Sequence, residues 1–401
     1  MLSNAYQNIV IQKPKLIMTL LFLVLLSFGY FAKDFKLDAS SDTLLLENDP
    51  DLNYLREVTK RYGFKDFLVL TYTPEKAIIS DDSIQNLTKL KDDIQNLDWV
   101  HNVITILDIP LLRSSDEPLM ERLKNFKTLK DNEIDKKRGL QEIISSPVFK
   151  EFVISEDGKT TAIIVNLKSD KKLREFIEKK DYFYNKSIND NLDAEETKSY
   201  SKLINEFEIY KDFSKKKNHE NILEIRSIIK NHQKFSKIHL GGIPMIADDM
   251  MTFIKNDIIV FGAGVFLFII VTLWFIFRKV LWIIIPLNSC FFSVLIMMGL
   301  LGLLGWKVTV ISSNFIALML ILTMAMNIHI SVRYLQLRRD NPELTNSDAI
   351  FQATQKMFWP ILYTVLTTIC AFLSLIVSDI KPIIDFGWMM TLGLITSFII
   401  T

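Results

Sequence analysis

The chain has 401 residues, 47 of them Lys or Arg and 46 Asp or Glu, for a formal net charge of +1. That balance points to neither nucleic acid nor an acidic partner. The 2 cysteines, Cys290 and Cys370, both lie in apolar runs, which excludes a disulfide framework and a Cys-based zinc site in the polar part of the chain.

Lys13, Pro14 and Lys15 precede an apolar run over 16–32 with no acidic residue before it. The run closes on Gly29-Tyr30-Phe31-Ala32-Lys33, with aromatics where a cleavage site needs small residues, so it reads as an uncleaved anchor rather than a signal peptide. Residues 33–255 are crowded with Lys, Asp, Glu and Asn, as in a soluble domain. Within them 67–73 (FLVLTYT) reads as a strand, 83–97 as an amphipathic helix and 100–107 as a second strand. Later, 160–167 (TTAIIVNL) is a strand, 221–232 a helix with apolar Ile222, Ile225 and Ile229, and 237–240 a strand closed by Gly241-Gly242. Two strand–helix–strand units of this length predict an α+β, split β-α-β sandwich of the ferredoxin-like kind. Between them, 170–219 is dense in both charge signs, and either extended surface helices or a mobile insert fits it.

From Ile258 onward, apolar runs follow one another over 258–277, 280–305, 308–332, 358–377 and 386–401, each long enough for a ~30 Å hydrocarbon core. A short helix with Ala349, Ile350, Ala353 and Met357 on one face, capped by Asn346 or Ser347, is expected along the membrane surface before Pro360. With a cytoplasmic N-terminus (1–15), the inside loops hold Lys13, Lys15, Arg278, Lys279, Arg333, Arg338, Arg339 and Lys356. The short outside loops hold only Lys307 and Lys381, so the rule of positive inner loops puts 33–255 outside. The expected architecture is an α-helical membrane bundle of one plus five spans, with the α+β domain inserted after the first. A domain outside the cytoplasm without disulfides suits a bacterial periplasm. The run at Ile399-Ile400-Thr401 has no polar flank, so the cassette 258–401 reads as truncated in its last helix.

Several strings resemble the resistance–nodulation–division (RND) transporters, particularly the MMPL-like and hopanoid-exporter branch related to sterol-sensing membrane domains. Glu47-Asn48-Asp49-Pro50-Asp51, Leu55 and Tyr62-Gly63 look like that family's passage into its external domain. Ser155-Glu156-Asp157-Gly158-Lys159-Thr160-Thr161-Ala162 resembles its strand approach, and Gly241-Gly242-Ile243-Pro244 its Gly-Gly-x-Pro. The densest likeness runs from Pro360 to Gly387, with Pro382-Ile383-Ile384-Asp385-Phe386-Gly387 opening the last helix. The resemblance implies half of a two-fold repeat in a bacterial inner membrane. Its function would be export of a lipid or other hydrophobic substrate, driven by protons. A second half or a homo-oligomer, membrane lipids and periplasmic accessory proteins are the implied partners, with no cofactor.

Proton-driven relatives carry an acid in mid-fourth span, and aligning His329 with Arg333-Tyr334 puts Ala325 or Met326 there instead. His329 is then either an interfacial histidine or a proton relay. Asn327 either bonds helices together or holds an ion or water. Thr323, Asn327 and Ser331 recur every four residues, and Thr364, Thr367, Thr368, Ala371 and Ser374 form a small polar stripe on the fifth span. The two rows are expected to face each other, as close packing or as a wet cavity. Asp257 and Asp385 are the acids at the outer mouths of the second and sixth spans. Asp385 is read as a helix cap favoured by the dipole, or as part of the path. Asp257 shares that role only if its helix starts there, and otherwise faces an access groove. No Walker-type string and no His/Glu set with metal-ligand spacing is present, which argues against an enzyme. Gly262 and Gly264 read as packing notches. The alternative class is a non-transporting lipid sensor or scaffold, which the missing acid favours; a protein-translocation accessory is a third, selected by no feature.

Overall fold

The computed structural model describes residues 7–38, 51, 54, 57, 58, 61, 66–114, 126–131, 133–189 and 192–401. Of the strings above, Glu47 to Pro50, Leu55 and Tyr62-Gly63 lie outside the described residues. The chain forms two compact units, Glu57–Asp249 and Met1–Arg56 with Met250–Thr401.

In chain order, the first membrane-length helix is α1 (Pro14–Phe31), with Pro14 in its first turn where a missing N–H costs nothing. A 3-10 turn at Ala32–Asp34 leads into the two-residue strand β1 (Lys36–Leu37).

The polar unit is built on β2 (Phe67–Pro74), α2 (Asp81–Gln95), β3 (Val100–Ile104), α3 (Lys136–Ser145), β4 (Thr161–Leu167), α4 (Lys171–Asn189), α5 (Ala194–His232) and β5 (Ser236–Gly241). Along β2, Leu68, Leu70 and Tyr72 alternate inward, the period-2 signature of a sheet with one buried face. The sheet runs β3-β4-β2-β5 with every neighbour antiparallel. Each helix-linked pair of strands is thus split by a strand of the other pair, the split β-α-β arrangement. Ser80 caps α2 by accepting from the Ser83 amide at 3.3 Å. Leu87, Leu90 and Ile94 of α2 and Ile222, Ile225 and Ile229 of α5 form one core with Leu68, Leu70, Ile163 and Val165. Each such side chain contributes about 1.5–3 kcal/mol on burial.

The charged segment 170–219 is helical over most of its described residues. Asp193 and Glu196 form a capping box that starts α5. α4 then pairs with α5 through rings: Phe176 lies 6.2 Å from Phe207 and 5.6 Å from Tyr210, and Phe183 lies 5.6 Å from Tyr200. The predicted helix over 221–232 is therefore only the end of a 39-residue one.

The membrane helices continue with α6 (Ile243–Phe277), α7 (Leu281–Leu304), the short β6 (Lys307–Val308), α8 (Phe315–Asp340), α9 (Asn346–Ser374) and α10 (Lys381–Ile400). With α1, these make six helices long and apolar enough to cross a membrane. α8 is central. Its Phe315 and Met319 pack with Met297 and Leu301 of α7 and Met389 and Met390 of α10. Leu320 and Met324 pack with Ile269 and Leu273 of α6, and Met326 with Ile361 and Val365 of α9. α1 lies along α7, where Gly299 and Gly302 admit its backbone. β1 pairs in parallel with β6, Lys36 opposite Lys307.

Four boundaries differ from expectation, one being the fourth span, expected over 308–332, whose helix α8 runs Phe315–Asp340. The helix that carries the second span starts at Ile243, not 258, because nothing between them breaks it. The expected surface helix and the fifth span are one helix, α9, capped by Thr345 rather than Asn346 or Ser347. Pro360 removes one amide from that helix without ending it, as spans tolerate. The sixth span starts at Lys381, with Pro382 in its first turn.

Candidate functional site

The polar side chains of the fourth span converge in the bundle interior, but on different neighbours from those expected. Thr323, Asn327 and Ser331 are all buried, one turn apart on a single face of α8. The Asn327 amide Nδ2 donates within reach of Ser289 Oγ on α7 (3.1 Å), Thr323 O (2.9 Å) and Thr401 Oγ1 just past α10 (3.2 Å). Thr323 Oγ1 donates to Ser397 Oγ of α10 at 2.7 Å. Buried Ser293, one turn after Ser289, donates to its carbonyl at 2.9 Å. The result is a hydroxyl-and-amide cluster joining α7, α8 and α10 among apolar side chains. It can bind by hydrogen bonds, but it holds no group that changes charge near neutral pH.

Sequence reasoning missed Ser289, Ser293, Ser397 and Thr401. Their signal was present: two pairs of small hydroxyls, each spaced i,i+4 within an apolar run.

The fifth-span stripe does not join this cluster. Thr364 and Thr367 are exposed and Thr368 half-buried. Their hydroxyls donate back into their own helix, Thr364 to Pro360 O, Thr367 to Tyr363 O and Thr364 O, Thr368 to Thr364 O, all within 3.0 Å. Ser374 does the same toward Ala371 O at 2.7 Å. The reason is the periodicity of α9: its inward face is taken by Ala349, Ala353, Ile361 and Val365, which leaves the threonines on the other side. Among the described residues, no hydrogen bond joins the two rows.

His329 is exposed, on a face of α8 away from Asn327. Ala325 is also exposed, whereas Met326 is buried against α9 and α10.

Asp257 is not at a helix start, because α6 begins at Ile243; the dipole benefit that depended on a start there is absent. It is exposed and lines a narrow cleft with Ile258, Phe261 and Gly262 of α6 and Ser313, Asn314, Ile316 and Ala317 at the start of α8. Asp385 sits a turn inside α10, four residues after Lys381, so it is not a cap. Gly262 and Gly264 are not packing notches within this chain: a Cβ added at either meets nothing within 4 Å.

An acid that sequence reasoning passed over is Asp38. It is 1% exposed, and its Oδ2 lies 3.7 Å from Lys307 Nζ beside the β1–β6 pair. Among the described residues, no group of three or more His, Cys, Asp or Glu side chains is placed to hold a metal ion.

No curated protein matches the chain. Residues 204–401 match the MMPL family. That stretch contains α6 through α10 and the whole hydrogen-bonded cluster described above. The six apolar helices and this match together support one conclusion: this is a multi-pass membrane protein whose residues 204–401 are similar to the MMPL family.

Proposed function

We propose that this chain is half of a secondary exporter that moves a lipid or other hydrophobic substrate out of a bacterial inner membrane, using the proton gradient. Residues 57–249 are read as its periplasmic lobe, on the charge asymmetry of the loops. The observation that carries the reading is the polar cluster of Ser289, Thr323, Asn327, Ser397 and Thr401, buried where three spans meet. Polar groups at that depth are costly and mark functional paths in membrane proteins. The narrow cleft lined by Asp257, Ser313 and Asn314 is assigned to the start of the path. Asp257, Asn327, Thr323 and Ser331 are assigned to this path, with His329, on another face of α8, as the proton-relay candidate. The exposed Thr364 and Thr367 and the half-buried Thr368 are assigned to the face covered by a second half or a second copy.

The cluster carries no titratable group. A proton gradient supplies about 2.3 kcal/mol per charge per 100 mV, so the charge that senses it belongs to His329 or to the second half. The same absence favours a second reading, a lipid-sensing or scaffold protein without transport. Reconstitution of the protein in liposomes separates the two. With an imposed pH gradient and a fluorescent lipid probe, the exporter moves the probe in a gradient-dependent way and Asn327→Leu slows it. Probe movement that ignores the gradient, in every lipid tried, would sink the export reading.

A further inference from the structure

We infer that the end of the bundle where α6 turns into α7 binds an anionic phospholipid, whose phosphodiester is held by Arg278, Lys279 and Arg333 against a wall of Trp282 and Tyr334. The link between the two helices is only Arg278, Lys279 and Val280. Arg278 has φ 51°, the left-handed region. A residue with a Cβ is strained there by about 1–2 kcal/mol, and glycine is the usual choice just past a helix end. The chain instead keeps a cation at this point, with Lys279 beside it, and both are exposed.

The aromatic wall is built. The Trp282 ring lies 6.2 Å from Phe277 and 5.3 Å from Tyr334 of α8, so the turn and the lower part of α8 border one surface. Tyr334 Oη donates to Asn346 Oδ1 at 3.2 Å, which fixes that ring. Arg333, next to Tyr334, donates from Nη1 to Gln336 Oε1 at 2.7 Å, while its Nε is buried without an acceptor. A buried donor in that state is costly, more so on a charged group. Among the described residues, none of Arg278, Lys279 and Arg333 has a carboxylate partner; the nearest acid along α8, Asp340, lies 3.7 Å from Arg339.

Cations, an unpaired N–H and an amphipathic wall together ask for a ligand with negative charge, oxygen acceptors and an apolar body. Val280 and Leu281 stand 59% and 63% exposed on the same turn, which a free anion would leave uncovered and acyl chains would cover. A phospholipid meets all of these requirements. This site is separate from the buried cluster and does not depend on the export reading.

The test uses the full chain in detergent micelles doped with phosphatidylglycerol or phosphatidylcholine, with retained lipid counted by native mass spectrometry. Phosphatidylglycerol is expected to be kept in preference to phosphatidylcholine. Arg278→Gly, which suits the left-handed turn while removing the charge, should weaken that retention about fivefold, and Arg333→Gln by a similar factor. The thermal midpoint of Arg278→Gly in phosphatidylcholine should be unchanged or higher, which separates lost binding from lost folding. Equal retention of the two lipids, or Arg278→Gly holding phosphatidylglycerol as tightly as wild type, overturns the inference. So does displacement of phosphatidylglycerol by inorganic phosphate at equal concentration. If Arg333→Gln does not fold, Arg278→Gly alone decides.

Discussion

Gly299→Ala should loosen the first span. The added Cβ would lie 2.1 Å from Phe28 O and 2.6 Å from its carbonyl carbon, atoms of the α1 backbone that no rotamer change can move. Ordinary carbon–oxygen approach is about 3.3 Å, so the two helices must part by about 1 Å. Gly302 meets Phe31 O at the same 2.1 Å one turn on, so the separation extends along the groove. A gap of 0.5–1 Å forfeits roughly a quarter to a half of each dispersion contact. α1 has no fully buried side chain, so this backbone contact is its main hold on the bundle. The expected cost is about 1–3 kcal/mol, as for overpacking elsewhere, read as a lower thermal midpoint in detergent. Gly262→Ala is the control: its Cβ meets nothing within 4 Å, so it should be neutral or gain up to about 1 kcal/mol of helix propensity. Wild-type stability in Gly299→Ala, or equal losses in the two variants, would refute the close-packing argument.

Other outcomes follow from the same geometry. Asn327→Leu removes the donor shared by Ser289, Thr323 and Thr401 and should cost about 0.6 to 1.7 kcal/mol in thermal unfolding; exposed His329→Ala should stay within about 0.5 kcal/mol. Burial pushes the Asp108 carboxyl up, but donation from Lys91, the Thr105 amide and Lys130 outweighs it and holds the pKa at about 2. That is below the unfolded value of about 3.9, so this stabilisation is complete above it and lost as pH falls toward 2. An acid titration followed by near-UV circular dichroism should show Asp108→Asn with a shallower loss over that window. Gly242 has φ 122° and an added Cβ 2.9 Å from Phe67 O, so Gly242→Ala should destabilise by at least about 1 kcal/mol. Gly241→Ala, 3.6 Å from Val69 O, should cost far less, with urea unfolding as the measurement. Thr367→Val should leave stability unchanged, since the hydroxyl bonds only within its own helix.

The spans and the strands were legible because hydropathy and period 2 are local signals. The strand read at 67–73 is β2, ending at Pro74, and the one read at 160–167 is β4, starting at Thr161. Helix starts were less legible. Pro244 suits the first turn of a helix as Pro14 and Pro382 do, but the polar residues of Ile243–Asp257 fit a linker equally, so the start of α6 was hard to read. The α4–α5 pair was hidden by its charge: its signal is aromatic, with Phe176 and Phe183 one heptad apart on one helix and Tyr200 and Phe207 on the other. In the site, the row Thr323, Asn327 and Ser331 could be read from spacing, but not its neighbours. Which helix faces it depends on how α8 sits at the bundle centre, and the fifth-span threonines lost that place to Ile361 and Val365. Hydroxyls satisfied within their own turn give no hint of direction.

The two-residue β1–β6 pairing reaches further than its size suggests. Main-chain bonds hold the C-terminal end of α1 to the connection between α7 and α8, and Asp38 N donates to Val308 O at 2.9 Å to lengthen the clasp. The glycine contact and this clasp thus tie α1 to its neighbours at two points. Losing either attachment alone leaves α1 held by the other, so releasing it from α7 requires breaking both.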